Sequence, residues 1–484
     1  MVTVTGKEYL HRISKLKTEI WLEGSLLQGP VTEHPAFKAV LQSKAKLYDL
    51  VHEKQYEDIL SAKDHQSNFS YEPMKTKEDL EKHRLATQVW ANQNAGLLGR
   101  SPEYGNTIIT TLANAKDYFA MEGSEYGERI ERIHKEALEH DLTFTHTFVN
   151  PKARKRSSFF SEEEELPIAA KIVDETDEGI VIDGARLLAT QGGITDEVIV
   201  LPAGFEKDSL FAFSIPSATP GLKFLARPSY ATDSLYDEPY SSQFEEGDAI
   251  VVFDNVLVPW DRVFLYKSER LSQGLFFETG LEPALLFHAS NRQIVKTEWL
   301  IGLAEEMVET LKISQFQHIQ QKLAEMITAL EAMRAFVYSS EAQAGVNEYG
   351  MMVPFAPPLK AAVSYYQTTY PRLVEIIQLI GASNFIAAPN EKDFQSPIAP
   401  LLERFIGGYD TSAKEKVQLL RLAKDLTMGD FGSRQTQFER YFYGDPVRLS
   451  TNLYNHYDTR PYRDRVKTFL ETLRKNDNSQ APIN

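Results

Sequence analysis

The alternation of apolar and polar positions changes period twice along this chain, and each change marks a different kind of element. From about Lys7 to His140 the spacing is helical: Glu78 to Asn94 is rich in helix formers, and Ile130, Ile133 and Ala137 recur at helical spacing within a charged stretch. After Pro151 comes a loop-like patch, Lys152-Ala-Arg-Lys-Arg156, then Glu162 to Glu165. Beyond it, short β-branched runs at 179–182, 198–201, 210–213, 222–225 and 249–253 alternate with turn residues. The Asp183-Gly184 pair predicts a tight hairpin turn. From about Pro283 the helical period returns in its strongest form. Leu300, Leu303, Met307 and Leu311 share one face, Leu323, Met326, Leu330, Met333 and Val337 a second, and Val374, Ile377 and Ile380 a third ahead of Gly381, a C-terminal stop. The pattern predicts an α+β chain with an N-terminal helical domain over 1–145, a middle antiparallel β barrel or sandwich over 146–270, and a C-terminal helix bundle over 271–484.

Composition narrows the chemistry. None of the 484 residues is cysteine, which excludes disulfides, Cys-ligated zinc, thiolate nucleophiles and cysteine-held iron–sulfur clusters. A net charge of −16 argues against nucleic acid as a partner, because phosphate binding relies on Lys and Arg. The N-terminal stretch lacks a signal-like apolar core and no apolar run reaches membrane-spanning length, so the expectation is a cytoplasmic protein without a membrane partner. No Gly-x-Gly-x-x-Gly or phosphate-loop motif occurs, which argues against binding NAD(P)H in the usual way. His134, His140 and His146 stand six apart, off a common helical face, so no metal site is expected.

Four segments can carry chemistry. In Gly99-Arg-Ser-Pro-Glu-Tyr-Gly-Asn106, Pro102 and two glycines interrupt the helical pattern, and Arg100 and Tyr104 can bind an anionic oxygen; a surface loop with a satisfied Arg is the plainer alternative. In Leu142-Thr-Phe-Thr-His-Thr-Phe-Val-Asn150, His146 is a candidate base or a hydrogen-bonded core residue. In Ala185-Arg-Leu-Leu-Ala-Thr-Gln-Gly-Gly193, Thr190 and Gln191 precede two glycines, suiting either a planar ligand or a simple Gly-rich turn. In Phe438-Glu-Arg-Tyr-Phe-Tyr-Gly-Asp-Pro-Val-Arg448, an aromatic cluster ends in Gly-Asp-Pro, which can also cap a helix.

In this order, the four segments resemble the family of 4-hydroxyphenylacetate 3-monooxygenase oxygenase components, two-component flavin hydroxylases on the acyl-CoA dehydrogenase-like fold. Phe253-Asp-Asn-Val-Leu-Val-Pro-Trp-Asp-Arg-Val263 and Asn291-Arg-Gln-Ile-Val-Lys-Thr-Glu298 add to the match. The resemblance implies that FAD, reduced to FADH2 by a separate NAD(P)H-flavin reductase, meets molecular oxygen here. A C4a-hydroperoxyflavin then hydroxylates a para-substituted phenol, 4-hydroxyphenylacetate being favoured, ortho to its hydroxyl to give a catechol, a step of aromatic catabolism. By the same carry-over Arg100, Tyr104 and His146 surround the phenol oxygen as catalytic and substrate-binding residues. His146, Phe148, Lys152, Arg154, Lys155, Thr190, Tyr443, Gly444, Asp445, Pro446 and Val447 contact the flavin. Relatives that bind an arylacetate offer hydroxyls to its carboxylate where this chain has Pro202-Ala203, so Lys207 or Ser209 is expected to serve instead. The resemblance further implies a homodimer or homotetramer.

Two other readings remain in view. One is an acyl-CoA dehydrogenase-like flavin oxidoreductase or lyase; the other is a non-catalytic helical assembly protein. The related 4-hydroxybutyryl-CoA dehydratase holds an iron–sulfur cluster through cysteines in the loop where this chain has Gly99 and Glu103.

Overall fold

The computed structural model describes residues 3–63, 67–151, 168–204 and 206–479. Helices come first. The Lys77–Asn92 helix opens on a capping box, in which the Thr76 hydroxyl accepts from the Asp79 N–H and the Asp79 carboxylate accepts from the Thr76 N–H. The Pro102–Asn114 helix starts with its proline in the first turn, where a missing N–H costs nothing. The Ser124–His140 helix then leads into the β region.

Ten strands make two open sheets. They are β1 (Glu19–Leu22), β2 (Ser25–Leu26), β3 (Phe144–Thr147), β4 (Lys171–Glu175), β5 (Gly179–Thr190), β6 (Glu197–Val200), β7 (Phe211–Pro216), β8 (Leu222–Ala226), β9 (Asp248–Pro259) and β10 (Val263–Tyr266). One sheet runs β2-β1-β8-β9-β5-β4, the other β10-β7-β6-β3. Ile182 and Phe253 from the first and Val198 and Phe213 from the second bury into one shared core, so the region is a sandwich and not a barrel.

Three expectations need correction. The pairs β1–β8 and β3–β6 are parallel, because each joins strands far apart in sequence and not hairpin neighbours. The N-terminal region is not purely helical, since β1 and β2 extend the larger sheet. Asp183-Gly184 makes no hairpin: β5 runs on to Thr190, and its register against β9 shifts between Ile182 and Gly184. Gly184 has φ 109°, so its freedom serves a bulge.

Three long helices, Leu281–Leu311, Gln317–Ala342 and Ala356–Gly381, form the bundle along the apolar faces read from the sequence. Gly381 is indeed where the third helix stops. The first is enclosed so fully that every residue from Pro283 to Thr297 is buried. The Arg460–Ser479 helix is its opposite, with residues 460–475 all exposed. No helix among the described residues is long and apolar enough to cross a membrane.

Candidate active site

The loop before the Pro102–Asn114 helix is held by a carboxylate that arrives from the start of β9. Glu246, fully buried, accepts from the Gly99 N–H at 2.9 Å and the Arg100 N–H at 2.8 Å. It also pairs with Arg434 at 3.1 Å and accepts from Gln191 at 3.0 Å. Fixing the backbone in this way aims the Arg100 side chain. The guanidinium lies 4.8 Å from the ring centre of Tyr104 and 4.9 Å from that of Phe442, and Nη1 donates to the Gly99 carbonyl at 2.9 Å. Arg100 Nε is buried without a partner, and the side chain makes no ion pair among the described residues.

Tyr104 sits in the first turn of its helix, three residues past the N-cap Ser101. Its ring stacks on His146 of β3 at 5.6 Å, and His146 stacks in turn on Phe148 at 5.5 Å. The parallel register against β6 puts His146 beside Ile199, within a strand that is buried throughout. Burial, then the Arg100 charge, pushes the His146 pKa well below the usual imidazole value. Burial likewise lowers the Arg100 pKa and raises that of Tyr104. The site therefore combines a neutral imidazole, a neutral phenol and a cation with free hydrogen-bonding capacity.

The other expected positions are distributed around this centre. Thr190 is buried, and its hydroxyl donates to Asp248 at 2.8 Å. Burial raises the Asp248 pKa, but Arg434 and Arg227 outweigh it and hold the carboxylate far below its usual range. Tyr443 donates from its hydroxyl to the Leu285 carbonyl at 2.6 Å, and its ring meets Phe442 at 4.6 Å. Gly444 turns the chain, Asp445 caps the Pro446–His456 helix by accepting from the Arg448 N–H at 3.0 Å, and Pro446 fills the first helical position. Val447 is 74% exposed. Between β6 and β7, Ser209 is buried and Lys207 exposed. Lys152, Arg154 and Lys155 lie outside the described residues.

Several groups escaped the sequence reading. Glu103 is buried, accepts from the Ser101 hydroxyl and faces His288 Nε2 at 3.3 Å, while the His288 ring meets Tyr104 edge-on at 5.1 Å. Glu103, placed by the sequence reading in a loop, lies in the first turn of the Pro102–Asn114 helix, so a hydrogen-bonded carboxylate stands at the position considered for cysteine. One helical turn on, Arg292 and Lys296 share Glu439 at 2.7 and 2.6 Å. The signal was present: His288, Arg292 and Lys296 recur every four residues on one face of the Leu281–Leu311 helix.

The family model for the 4-hydroxyphenylacetate 3-hydroxylase N terminal matches residues 5–265, and that for the C terminal matches 272–471. The chain belongs to this family. A probable 4-hydroxyphenylacetate 3-monooxygenase of Bacillus subtilis is 42% identical over 97% of this chain and 99% of its own length. The crystal structure of an oxygenase component complexed with FAD and 4-hydroxyphenylacetate superposes with a TM-score of 0.92 at 38% identity, covering 98% of this chain and 99% of that one. An archaeal 4-hydroxybutyryl-CoA dehydratase shares the fold at 19% identity and a TM-score of 0.85, covering 97% and 95%.

The residues of this 4-hydroxyphenylacetate 3-hydroxylase family member fit a flavin. Val149, just past the end of β3, and Leu187 and Leu188 of β5 are exposed apolar side chains, and the Leu187 N–H donates to the Val149 carbonyl at 2.7 Å. Such a surface suits a planar ring system, and Phe148 lies next to it in sequence.

Proposed function

We propose that this chain is the oxygenase component of a 4-hydroxyphenylacetate 3-monooxygenase. It takes FADH2 from a separate NAD(P)H-flavin reductase and hydroxylates 4-hydroxyphenylacetate ortho to its hydroxyl, giving a catechol, water and FAD. The observation that carries this reading is the Arg100 guanidinium, buried without an ion-pair partner among the described residues and set over the ring of Tyr104, on which His146 stacks. When bound, the reduced flavin supplies the two electrons that let dioxygen place one oxygen atom on the ring and leave the other as water.

The protein's task is to raise the electron density of the phenol. A free phenol ionises near pKa ~10, so presenting phenolate at neutral pH calls for about three units, or about 4 kcal/mol. Arg100 supplies charge stabilisation in a site closed to water. Neutral His146 accepts the phenol proton as a hydrogen bond, and Tyr104 orients the oxygen. Thr190, His146 and Phe148, with Tyr443, Gly444, Asp445, Pro446 and Val447 across the opening, are the proposed flavin contacts. Lys152, Arg154 and Lys155 are proposed for its pyrophosphate.

The three-part division at 145 and 270 is kept as part of this reading, supported by β3 opening at Phe144 and β10 closing at Tyr266. A homodimer or homotetramer is proposed on the exposed stripe Val466, Phe469, Leu470 and Leu473, spaced to share one helical face. The test mixes anaerobic protein and photoreduced FAD with oxygenated buffer, with and without 4-hydroxyphenylacetate. Catechol stoichiometric with flavin supports the reading. Flavin oxidation at the rate of free FAD, without catechol, rejects it.

A further inference from the structure

One cation in the sandwich has no role in the chemistry above. Arg186 lies on β5 and is completely buried, yet it makes no ion pair among the described residues. Its Nη1 donates to the Asn150 side-chain oxygen, and its guanidinium lies 5.3 Å from the ring centre of Phe211. Nε and Nη2 have no hydrogen-bond partner among the described residues. A charge among apolar neighbours is strongly disfavoured unless an acceptor completes it, and burial alone pulls its pKa down to about 10. The two free nitrogens matter for their geometry, because Nε–H and Nη2–H form the side-on fork that matches the two oxygens of a carboxylate.

The surroundings say which anion. Asn150 follows His146 and Phe148 at alternating positions along one extended stretch. It is half-buried, and its amide donates to the Ala203 carbonyl at 3.2 Å. A Cβ placed on the exposed Gly204 would stand 3.3 Å from that amide and 3.9 Å from Ser209 Cβ. Arg186 therefore lies one side chain beneath the surface of the β6–β7 connection, where Pro202 has no N–H and neither Pro202 nor Ala203 has a hydroxyl to offer an acid. We infer that Arg186, braced by Asn150, binds the carboxylate of the phenolic substrate and sets the preference for an acidic para substituent. The shared chemistry is oxyanion binding, and a flavin phosphate is the competing source.

The inference rests on the function proposed above, and one experiment separates the two. Wild type, Arg186→Gln and Arg186→Lys are assayed with FADH2 on 4-hydroxyphenylacetate and on uncharged 4-methylphenol, and flavin affinity is measured by fluorescence titration. The Gln variant is expected to raise KM for the arylacetate by about 10- to 100-fold. It should leave KM for 4-methylphenol and flavin affinity unchanged, with the Lys variant in between. Equal losses on both phenols with weakened flavin binding would assign the anion to the flavin and overturn the inference. An unchanged KM would overturn it as well. If neither variant folds, thermal shifts of wild type decide: phenylacetate should stabilise the protein and benzyl alcohol should not, and equal shifts would reject the inference. Wild type inactive on both phenols would instead sink the function itself.

Discussion

The Leu281–Leu311 and Arg460–Ser479 helices both mix charged and apolar side chains, and the protein treats them in opposite ways. In the first, charges are enclosed and paired: Arg292 and Lys296 meet Glu439, and His288 meets Glu103. In the second, Val466, Phe469, Leu470 and Leu473 face solvent in a single chain. The contrast teaches that the candidate site is framed by buried polar groups that cannot relax into water, whereas the C-terminal helix leaves its apolar side chains exposed in the single chain.

The comparison can be broken at its strong end first. Glu439→Ala strands two buried cations and should cost about 3–5 kcal/mol, read as a lower urea midpoint. Burial opposes the charge on Glu439, but Arg292 and Lys296 prevail and hold its pKa at about 2. Next is Arg100→Ala, expected to lower ring hydroxylation about 100- to 1000-fold while the melting temperature stays close to wild type; a variant retaining full turnover would remove the cation from the mechanism.

A pH experiment sharpens the same contrast. His83 is buried in the Lys77–Asn92 helix, its Nε2 3.1 Å from the Glu72 carbonyl, and burial lowers its pKa to about 4. The unfolded chain binds this proton near pH ~6.5, so it holds more protons than the native state between the two values. Stability is accordingly lost as pH falls through 6.5 and levels off below 4, by about 3 kcal/mol from this group. His83→Gln should flatten that part of a urea-midpoint profile. The smallest effect is at the exposed end. Phe469→Ser with Leu470→Ser should shift protomer stability by no more than about 0.5 kcal/mol. Light scattering should nonetheless report a smaller assembly.

Local signals carried much of the molecule into view. Apolar periodicity located the bundle helices because each carries a continuous apolar face into the core, and Gly99 to Asn106 drew attention through its proline and glycines, although Pro102 opens a helix that runs on through Gly105. What stayed hidden was long-range. Glu246 anchors Gly99 and Arg100 from more than a hundred residues away, and nothing near either segment announces the other. Asp183-Gly184 has the composition of a turn, but strand pairing with β9 overrides it. Arg186 stands in a strand that also reads Ala, Leu and Leu, and only the packing reveals that its charge has no counterpart among the described residues.

The parallel pairing of β1 with β8 also bears on how the chain is made. Glu19 lies opposite Lys223, about 200 residues later, so at roughly 5–20 residues per second the first strand waits about 10–40 s for its neighbour during synthesis. Through that interval Tyr9 and Ile13, fully enclosed in the finished protein, belong to an amphipathic helix with no sheet to cover it. The segment around β1 is thus among the last to find its place, and it stays open to a nascent-chain chaperone throughout that wait.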